Sequence, residues 1–276
     1  MYLASIITGL SIFLLMALRL WDERADRIEW VRLAASQSEG PAVYDPVMVA
    51  GLPEPAQRFF NFAITPGAPL LTVAEIDMGG EFSLGTRDKP GYQPMTARQI
   101  LAAPAGFVWK VRIAGVVPVS GSDTGRWTRF RVLGLIPVAR MGGDTNHTRA
   151  AYGRYIAEAV FWTPAALLPG PGISWEALDA NTARVTVTQN DLSQSVDLTV
   201  DVDGRPELVQ LMRWSDANPE KKHRLQPFGG KLADFHEVQG FRIPFYVEAG
   251  NMFGKEEHFV FFKARVANVR FLLPDS

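Results

Sequence analysis

The pattern of apolar and polar residues divides the chain into one apolar segment and a long region of strand-like alternation. Residues 2–18, YLASIITGLSIFLLMAL, carry no charge, and their length is at the low end of the roughly 17–25 residues that a membrane-spanning helix needs. A cleaved signal peptide has basic residues before its apolar run and small residues soon after it, but the charged RLWDERADRIEWVR follows here. The pattern favours an uncleaved anchor with a juxtamembrane helix, together residues 1–35, over a signal peptide or a buried core helix.

The charged helix is expected to carry the chain away from the bilayer. Residues 36–46, SQSEGPAVYDP, are rich in Ser, Gly and Pro and are typical of a linker. The folded domain is predicted to span residues 47–276 and to fold without residues 1–35. It begins with a short helix in LPEPAQRFFNFAI, whose prolines suit a first helical turn.

From Leu71 onward the hydrophobic period is two, which indicates β-strands. In GFVWKVRIAG, for example, Phe107, Trp109, Val111 and Ile113 alternate with residues of the opposite face. About ten strands follow one another with short turns, which predicts an antiparallel sheet that must curl or close to protect its edges. One of these strands is predicted to run through residues 124–135.

A single long helix interrupts the strands. It is predicted to begin at the capping residues in GGDTNHT and to end before Pro164. The stretch RYIAEAVFWTPAALLP is apolar nearly all round, which is typical of a buried helix. The predicted fold class is therefore mainly β (α+β): a large curved antiparallel sheet or half-barrel, with one buried helix packed on its concave face and an N-terminal membrane-anchor helix.

This helix carries two charged residues in apolar surroundings, Arg154 and Glu158, at the spacing where side chains meet. One hypothesis is a structural ion pair. The other is that the pair faces a cavity and binds or protonates a ligand. The candidate ligand-binding residues add aromatic side chains from the helix and from two strands, Tyr155, Trp162, Trp109 and Trp175, although Trp175 in ISWEALD could face either the cavity or water.

Composition excludes several classes of protein. The chain has no cysteine, so disulfides, thiolate nucleophiles and the common zinc sites are ruled out. The 28 basic and 29 acidic residues give a net charge of -1, which argues against a nucleic-acid partner. The four histidines lack metal-binding spacing and no Gly-x-Ser-x-Gly motif is present. We predict no catalytic residue, no metal and no cofactor.

Four motifs, LPEPAQRFF, GFVWKVRI, RYIAEAVFWTPAALLPGPGISWEALD and GFRIPFYVEAG, resemble an uncharacterised bacterial family, a domain of unknown function, over residues 52–271. The resemblance implies no activity. The hairpin EVQGFRIPFYVEA is also similar to hairpins of the bacterial lipoprotein-carrier fold, which implies a curved half-barrel with a helical lid and an apolar cavity. Those carriers work in the periplasm, whereas four arginines after the span and none before it predict a cytoplasmic domain.

Two functional hypotheses remain. The favoured one is a binding protein, held in the bacterial inner membrane by a single-pass anchor, for a hydrophobic or amphipathic, lipid-like ligand between sheet and helix. The alternative is a cofactor-free enzyme that uses Glu158 as acid or base and Arg154 to hold an anionic group. A structural or assembly role would suit the same fold.

Overall fold

In the computed structural model, which describes residues 2–273 and their side chains from residue 5 onward, thirteen strands form one antiparallel sheet. The helices are α1 (Tyr2–Ala34), α2 (Glu54–Ala63) and α3 (Thr145–Trp162), with short 3-10 helices at Pro46–Val49 and Pro164–Leu167. The strands are β1 (Ala74–Ser83), β2 (Tyr92–Ala102), β3 (Gly106–Ile113), β4 (Val119–Thr124), β5 (Trp127–Val132), β6 (Ile136–Gly142), β7 (Ile173–Ala177), β8 (Thr182–Gln189), β9 (Leu192–Val200), β10 (Pro206–Ser215), β11 (Arg224–Val238), β12 (Phe241–Asn251) and β13 (Phe259–Phe271).

The order of the strands is that of two meanders joined in the middle. It runs β6-β5-β4-β3-β2-β1-β13-β12-β11-β10-β9-β8-β7, so β1 pairs with β13 and the edges are β6 and β7. Helix α3 connects these two edges in the chain. It contacts β2, β3 and β6 in one half of the sheet and β9, β10 and β12 in the other. The sheet therefore curves around α3, and the predicted fold class is confirmed.

Glycines allow neighbouring strands to approach closely where the sheet bends. A Cβ at Gly80 in β1 would overlap the backbone of Lys263 in β13, and φ at Gly80 is +154°. A Cβ at Gly230 in β11 would overlap the backbone carbonyl of Glu248 in β12. A glycine within a strand often marks such a close approach or a sharp bend.

Helix α3 has the predicted limits. Asp144 caps its first turn by accepting a hydrogen bond of 2.9 Å from the backbone N–H of His147, and Pro164 follows the C-cap residue Thr163. Most of its side chains are buried against the sheet. The main core lies between α3, α2 and the concave face, with Trp162 and Phe107 among its fully buried side chains.

The single strand predicted for residues 124–135 is wrong. The Thr124 hydroxyl accepts hydrogen bonds from the backbone N–H groups of Arg126 and Trp127, which makes a turn between β4 and β5. A second turn follows at Leu133 and Gly134, both with positive φ. β6 was not predicted because it is an edge strand, largely exposed on both faces, and so has little hydrophobic alternation.

Helix α1 is one continuous helix whose two halves have different environments. Most side chains of residues 5–18 are exposed, and α1 is the one helix of the described chain that is long and apolar enough to cross a membrane. The prediction that its second half leads away from the domain is wrong. This half packs on the outer face of β2 and β3. The face that it buries carries three acids and one leucine: Asp22, Asp26, Glu29 and Leu33.

The segment predicted as a linker also packs against the domain, on α2 and on the residues that lead into β1. The side-chain oxygen of Gln37 accepts hydrogen bonds of 2.9 and 3.2 Å from the backbone N–H groups of Thr72 and Val73. Tyr44 is buried, and its hydroxyl donates to the Asn61 side chain over 2.9 Å. Whether residues 47–276 fold alone stays a prediction.

Candidate functional site

A cavity of about 240 Å³ lies between α3 and the concave face of the sheet. Most of its wall is apolar, and much of that wall is aromatic, with contributions from Phe82, Trp109, Phe161, Trp162, Phe228 and Phe262. Five charged side chains also reach it: Asp123, Arg154, Glu158, Arg213 and Glu248. A concave apolar site with a few polar groups is typical of a small-molecule pocket.

Arg154 is held by two carboxylates. Its Nε donates to Glu158 over 2.8 Å and its Nη1 donates to Asp123 over 2.6 Å. Its guanidinium also lies over the rings of Phe107 and Trp109, with centroids 4.6 and 4.9 Å away. Burial by itself would lower the pKa of Arg154, but Glu158 and Asp123 outweigh burial and raise it. Arg154 is therefore permanently charged and paired with two carboxylates.

The two carboxylates are themselves bound on their far sides. The second oxygen of Glu158 accepts a hydrogen bond of 2.6 Å from the side-chain amide of Gln99 in β2. The second oxygen of Asp123 accepts one of 2.5 Å from the hydroxyl of Thr128. This network joins α3 to β2, β4 and β5, as a structural ion pair would.

Arg213 differs from Arg154 because it has no acidic partner. The residue is partly exposed, but its Nε is buried, and within the described chain no hydrogen bond or ion pair satisfies its guanidinium. Its contact is instead with the ring of Phe228, whose centroid is 5.0 Å away. Burial, together with the positive charge of Arg154, lowers the pKa of Arg213, and Asp123 and Glu158 offset this only in part. Arg213 is thus a cation of the cavity wall with no protein partner among the described residues.

A second unsatisfied donor is close to the same wall. The indole Nε1 of Trp109 is buried and has no hydrogen-bond acceptor among the described residues. Buried donors in native proteins are nearly always paired. Trp109 Nε1 and Arg213 Nε are thus two donors of the cavity lining that have no acceptor among the described residues.

The sequence was compared with known families, curated proteins and solved structures. A family of unknown function, DUF6544, matches residues 42–264. This chain belongs to that family. The comparison with curated proteins found none that matches the DUF6544 chain.

Solved structures similar to the DUF6544 chain are distant in sequence. A LolA superfamily protein from Nitrosomonas europaea has 11% identity and a TM-score of 0.42, over 79% of this chain and 91% of that one. A DUF1329 family protein from Desulfovibrio piger has 8% identity and a TM-score of 0.39, over 75% of this chain and 88% of that one. At such distances these likenesses say nothing about a ligand, and function has to be argued from the cavity.

Four of the six candidate residues predicted from the DUF6544 sequence line the cavity: Trp109, Arg154, Glu158 and Trp162. Two do not. Tyr155 is buried but is not part of the cavity wall, and its ring lies 5.8 Å from Phe107 and 5.3 Å from Tyr152. Trp175 packs on Phe60 of α2 and donates to the carbonyl of Leu167 over 3.0 Å.

Two charged residues of the cavity, Arg213 and Asp123, were not predicted. Arg213 follows Val209 and Leu211 at a spacing of two in β10, and all three line the cavity. An arginine in phase with buried apolar residues of a strand was the available sequence indication. Asp123 had none, because its contact with Arg154 depends on the curvature of the sheet. Within residues 2–273, no cluster of three or more His, Asp or Glu side chains could hold a metal ion.

Proposed function

We propose that this DUF6544 protein is a membrane-tethered binding protein for an amphipathic anion. The apolar part of the ligand occupies the aromatic cavity, and its anionic group binds to Arg213 and to the indole N–H of Trp109. The observation that carries this proposal is the unsatisfied Arg213 guanidinium in an apolar wall. The apolar helix α1 supports the tether.

The ligand needs acceptor oxygens more than it needs a compensating charge. The five charged side chains of the cavity sum to -1, because three carboxylates stand against two arginines. None of these carboxylates bonds to Arg213: Asp123 and Glu158 accept from Arg154, Thr128 and Gln99, and Glu248 accepts from the hydroxyl of Tyr246. A carboxylate or phosphate can satisfy the guanidinium directly, and such charge-assisted hydrogen bonds are the strong ones.

The geometry does not favour the hypothesis of an enzyme that uses Glu158. A general base needs an oxygen free to take a proton from the substrate. Both oxygens of Glu158 accept hydrogen bonds within 2.8 Å, from Arg154 and Gln99. Glu158 is placed to hold Arg154 rather than to transfer a proton.

The anion preference can be tested with ligands that share one chain and differ in the head group. Full-length protein in detergent is incubated with equimolar dodecanoate, dodecanol and dodecylamine, and the bound species are counted by native mass spectrometry. Dodecanoate should dominate, and Arg213→Met should reduce its binding by about 10- to 100-fold, because a hydrogen bond to a charged group contributes roughly 1.5–3 kcal/mol.

The matched control is Arg224→Met, which removes an exposed arginine of β11 that pairs with Glu220 outside the cavity. This variant should bind dodecanoate as the unaltered protein does. Equal binding of the three compounds to the unaltered protein, or undiminished binding by Arg213→Met, would contradict the proposed anion site.

The side of the membrane is a separate part of the proposal. We infer that the domain is in the cytoplasm, because four arginines, Arg19, Arg24, Arg27 and Arg32, closely follow the apolar segment. A phosphatase reporter at the C-terminus should be inactive and a fluorescent-protein reporter should be bright. The reverse result would place the domain in the periplasm.

A further inference from the structure

Two neighbouring hairpins end in exposed apolar residues. In the connection between β3 and β4, Val116 is fully exposed and Val117 is more than half exposed. Leu133 follows β5 and Ile136 is the first residue of β6, and each is about half exposed or more. The two connections touch, since the backbone N–H of Leu133 donates to the carbonyl of Pro118 over 3.0 Å. We call Val116, Val117, Leu133 and Ile136 the apolar tips.

The apolar tips lie where the apolar half of α1 leaves the sheet. Arg19, the first charged residue after that half, donates from Nη1 to the carbonyl of Gly134 over 3.2 Å. At the other end of the same hairpins, Arg32 donates to the carbonyl of Ala105 over 3.0 Å. These two contacts fix the direction of α1 along the sheet, so residues 5–18 project beyond the apolar tips.

We propose that the apolar tips insert into the head-group region of the bilayer that α1 crosses. This inference rests on the proposed membrane anchor, and it adds a second, lateral contact between domain and lipid. If residues 5–18 span the bilayer, then Arg19 lies at its surface and the tips, bonded to Arg19 through Gly134, lie at the same level. At that depth the lipid itself removes the exposed aliphatic side chains from water, so no protein partner is needed to cover them.

The polar residues around the apolar tips suit a lipid surface. Trp21 is 72% exposed just after the span, the position at which tryptophan is enriched at membrane interfaces. Arg112, two residues before the β3–β4 connection, is exposed and forms no ion pair within the described chain. A free cation beside inserted apolar residues favours anionic lipids.

The absence of cysteine allows a direct test with single labels. Full-length Val116→Cys and Leu133→Cys variants are labelled with an environment-sensitive fluorophore and reconstituted in vesicles of phosphatidylethanolamine and phosphatidylglycerol. Phe13→Cys, in the middle of the apolar half of α1, reports whether that half spans the bilayer. Val202→Cys, in the exposed turn between β9 and β10 at the other end of the strands, is the aqueous control.

Labels at residues 116 and 133 should emit at shorter wavelength than the label at residue 202, and lipids with a nitroxide at the head group should quench them. If both behave like the label at residue 202 while the label at residue 13 is lipid-quenched, the anchor stands and the insertion of the tips is wrong. If they are shielded from water but not quenched by the lipid-borne nitroxide, a protein surface covers them and the proposal is overturned. An aqueous label at residue 13 would overturn the anchor and, with it, the insertion.

Discussion

Arg154 and Arg213 lie in the same cavity wall, but their neighbours assign them different tasks. Two carboxylates bind Arg154 at 2.6 and 2.8 Å, and the network continues into Gln99 and Thr128. Arg213 has an aromatic ring beside it and no acceptor among residues 2–273. Removal of Arg154 would leave two uncompensated carboxylates, whereas removal of Arg213 would leave no group that has lost a partner. Substitution of Arg154 should therefore lower the stability of the domain, whereas substitution of Arg213 should lower ligand binding.

We predict that Arg154→Met lowers the free energy of unfolding by about 3 kcal/mol, the lower end of the cost of breaking a buried pair, because all three side chains keep some contact with solvent. Arg213→Met should leave the stability nearly unchanged and abolish the anion preference. Urea denaturation of the full chain in detergent measures the first effect. Equal losses of stability in the two variants would contradict the division of tasks.

The residues of the site differ in how far the sequence predicts them. Arg154 and Glu158 could be paired because a spacing of four on a helix brings side chains together regardless of the rest of the fold. Tyr155 could not be placed correctly, because a helix that is apolar nearly all round does not show which side faces a cavity. Asp123 comes from a strand that only the curved sheet brings to α3.

At the scale of elements, the second half of α1 reverses the usual arrangement of a surface helix. Its buried face is acidic, and apolar residues such as Ile28 and Val31 are exposed. Asp22 binds three arginines of the outer sheet face, Arg129, Arg131 and Arg140. Burial, together with the charge of Arg140, lowers the pKa of Arg129 and Arg131. A hydrophobic pattern cannot predict the contact of Asp22, because arginines hold this part of α1 to the sheet, whereas apolar packing begins only near Leu33.

We predict that Asp22→Asn weakens the attachment of α1 strongly, because it leaves three clustered arginines without their shared carboxylate. The expected loss is about 3–5 kcal/mol, the cost of removing one partner of a buried pair. Glu23→Gln is the matched control: Glu23 is the next residue, and its exposed pair with Arg19 contributes at most about 0.5 kcal/mol. Both are measured by chemical denaturation and by protease sensitivity around residue 36. Similar behaviour of the two variants would contradict the role of Asp22.

The bend of the sheet offers a second test among the elements. Gly230→Ala places a methyl group against the backbone carbonyl of Glu248 in β12, and the strands must separate to admit it. We expect a loss of about 1–3 kcal/mol, as for other overpacking substitutions. Gly79→Ala is the control, because a Cβ there would be 3.7 Å from the nearest atom, an ordinary contact. Equal melting temperatures for the two variants would contradict the need for close approach at Gly230.

At the scale of the whole molecule, the sequence predicts the class of fold better than it predicts which strands join the two halves of the sheet. Successive strands joined by short turns specify two meanders, because neighbouring strands in the chain pair in space. The pairing of β1 with β13, which joins the meanders, links residues nearly two hundred positions apart and has no local pattern. The same limit applies to α1, whose contacts lie on strands a hundred residues away.

The position of α1 changes what truncation should do. The sequence predicts that the domain folds without residues 1–35, but the two halves of α1 have different environments. Deletion of residues 2–18 removes exposed apolar side chains, so the product should be soluble without detergent and should melt at the temperature of the full chain. Deletion of residues 2–35 also removes Asp22 and Leu33, which uncovers the arginines of β5 and β6 and the apolar cluster around Val108.

The product that lacks residues 2–35 should aggregate or should melt at a lower temperature than the full chain. A loss of only about 2 kcal/mol would lower the melting temperature of a domain of this size by about 4 °C or more. Scanning calorimetry and light scattering on the two purified products decide the outcome. Equal melting temperatures would show that the second half of α1 contributes nothing to the fold, and the acid–arginine contacts would then serve only to orient the domain. Retention of the 2–18 deletion product in membranes would instead show that the apolar half of α1 is not what holds this protein there.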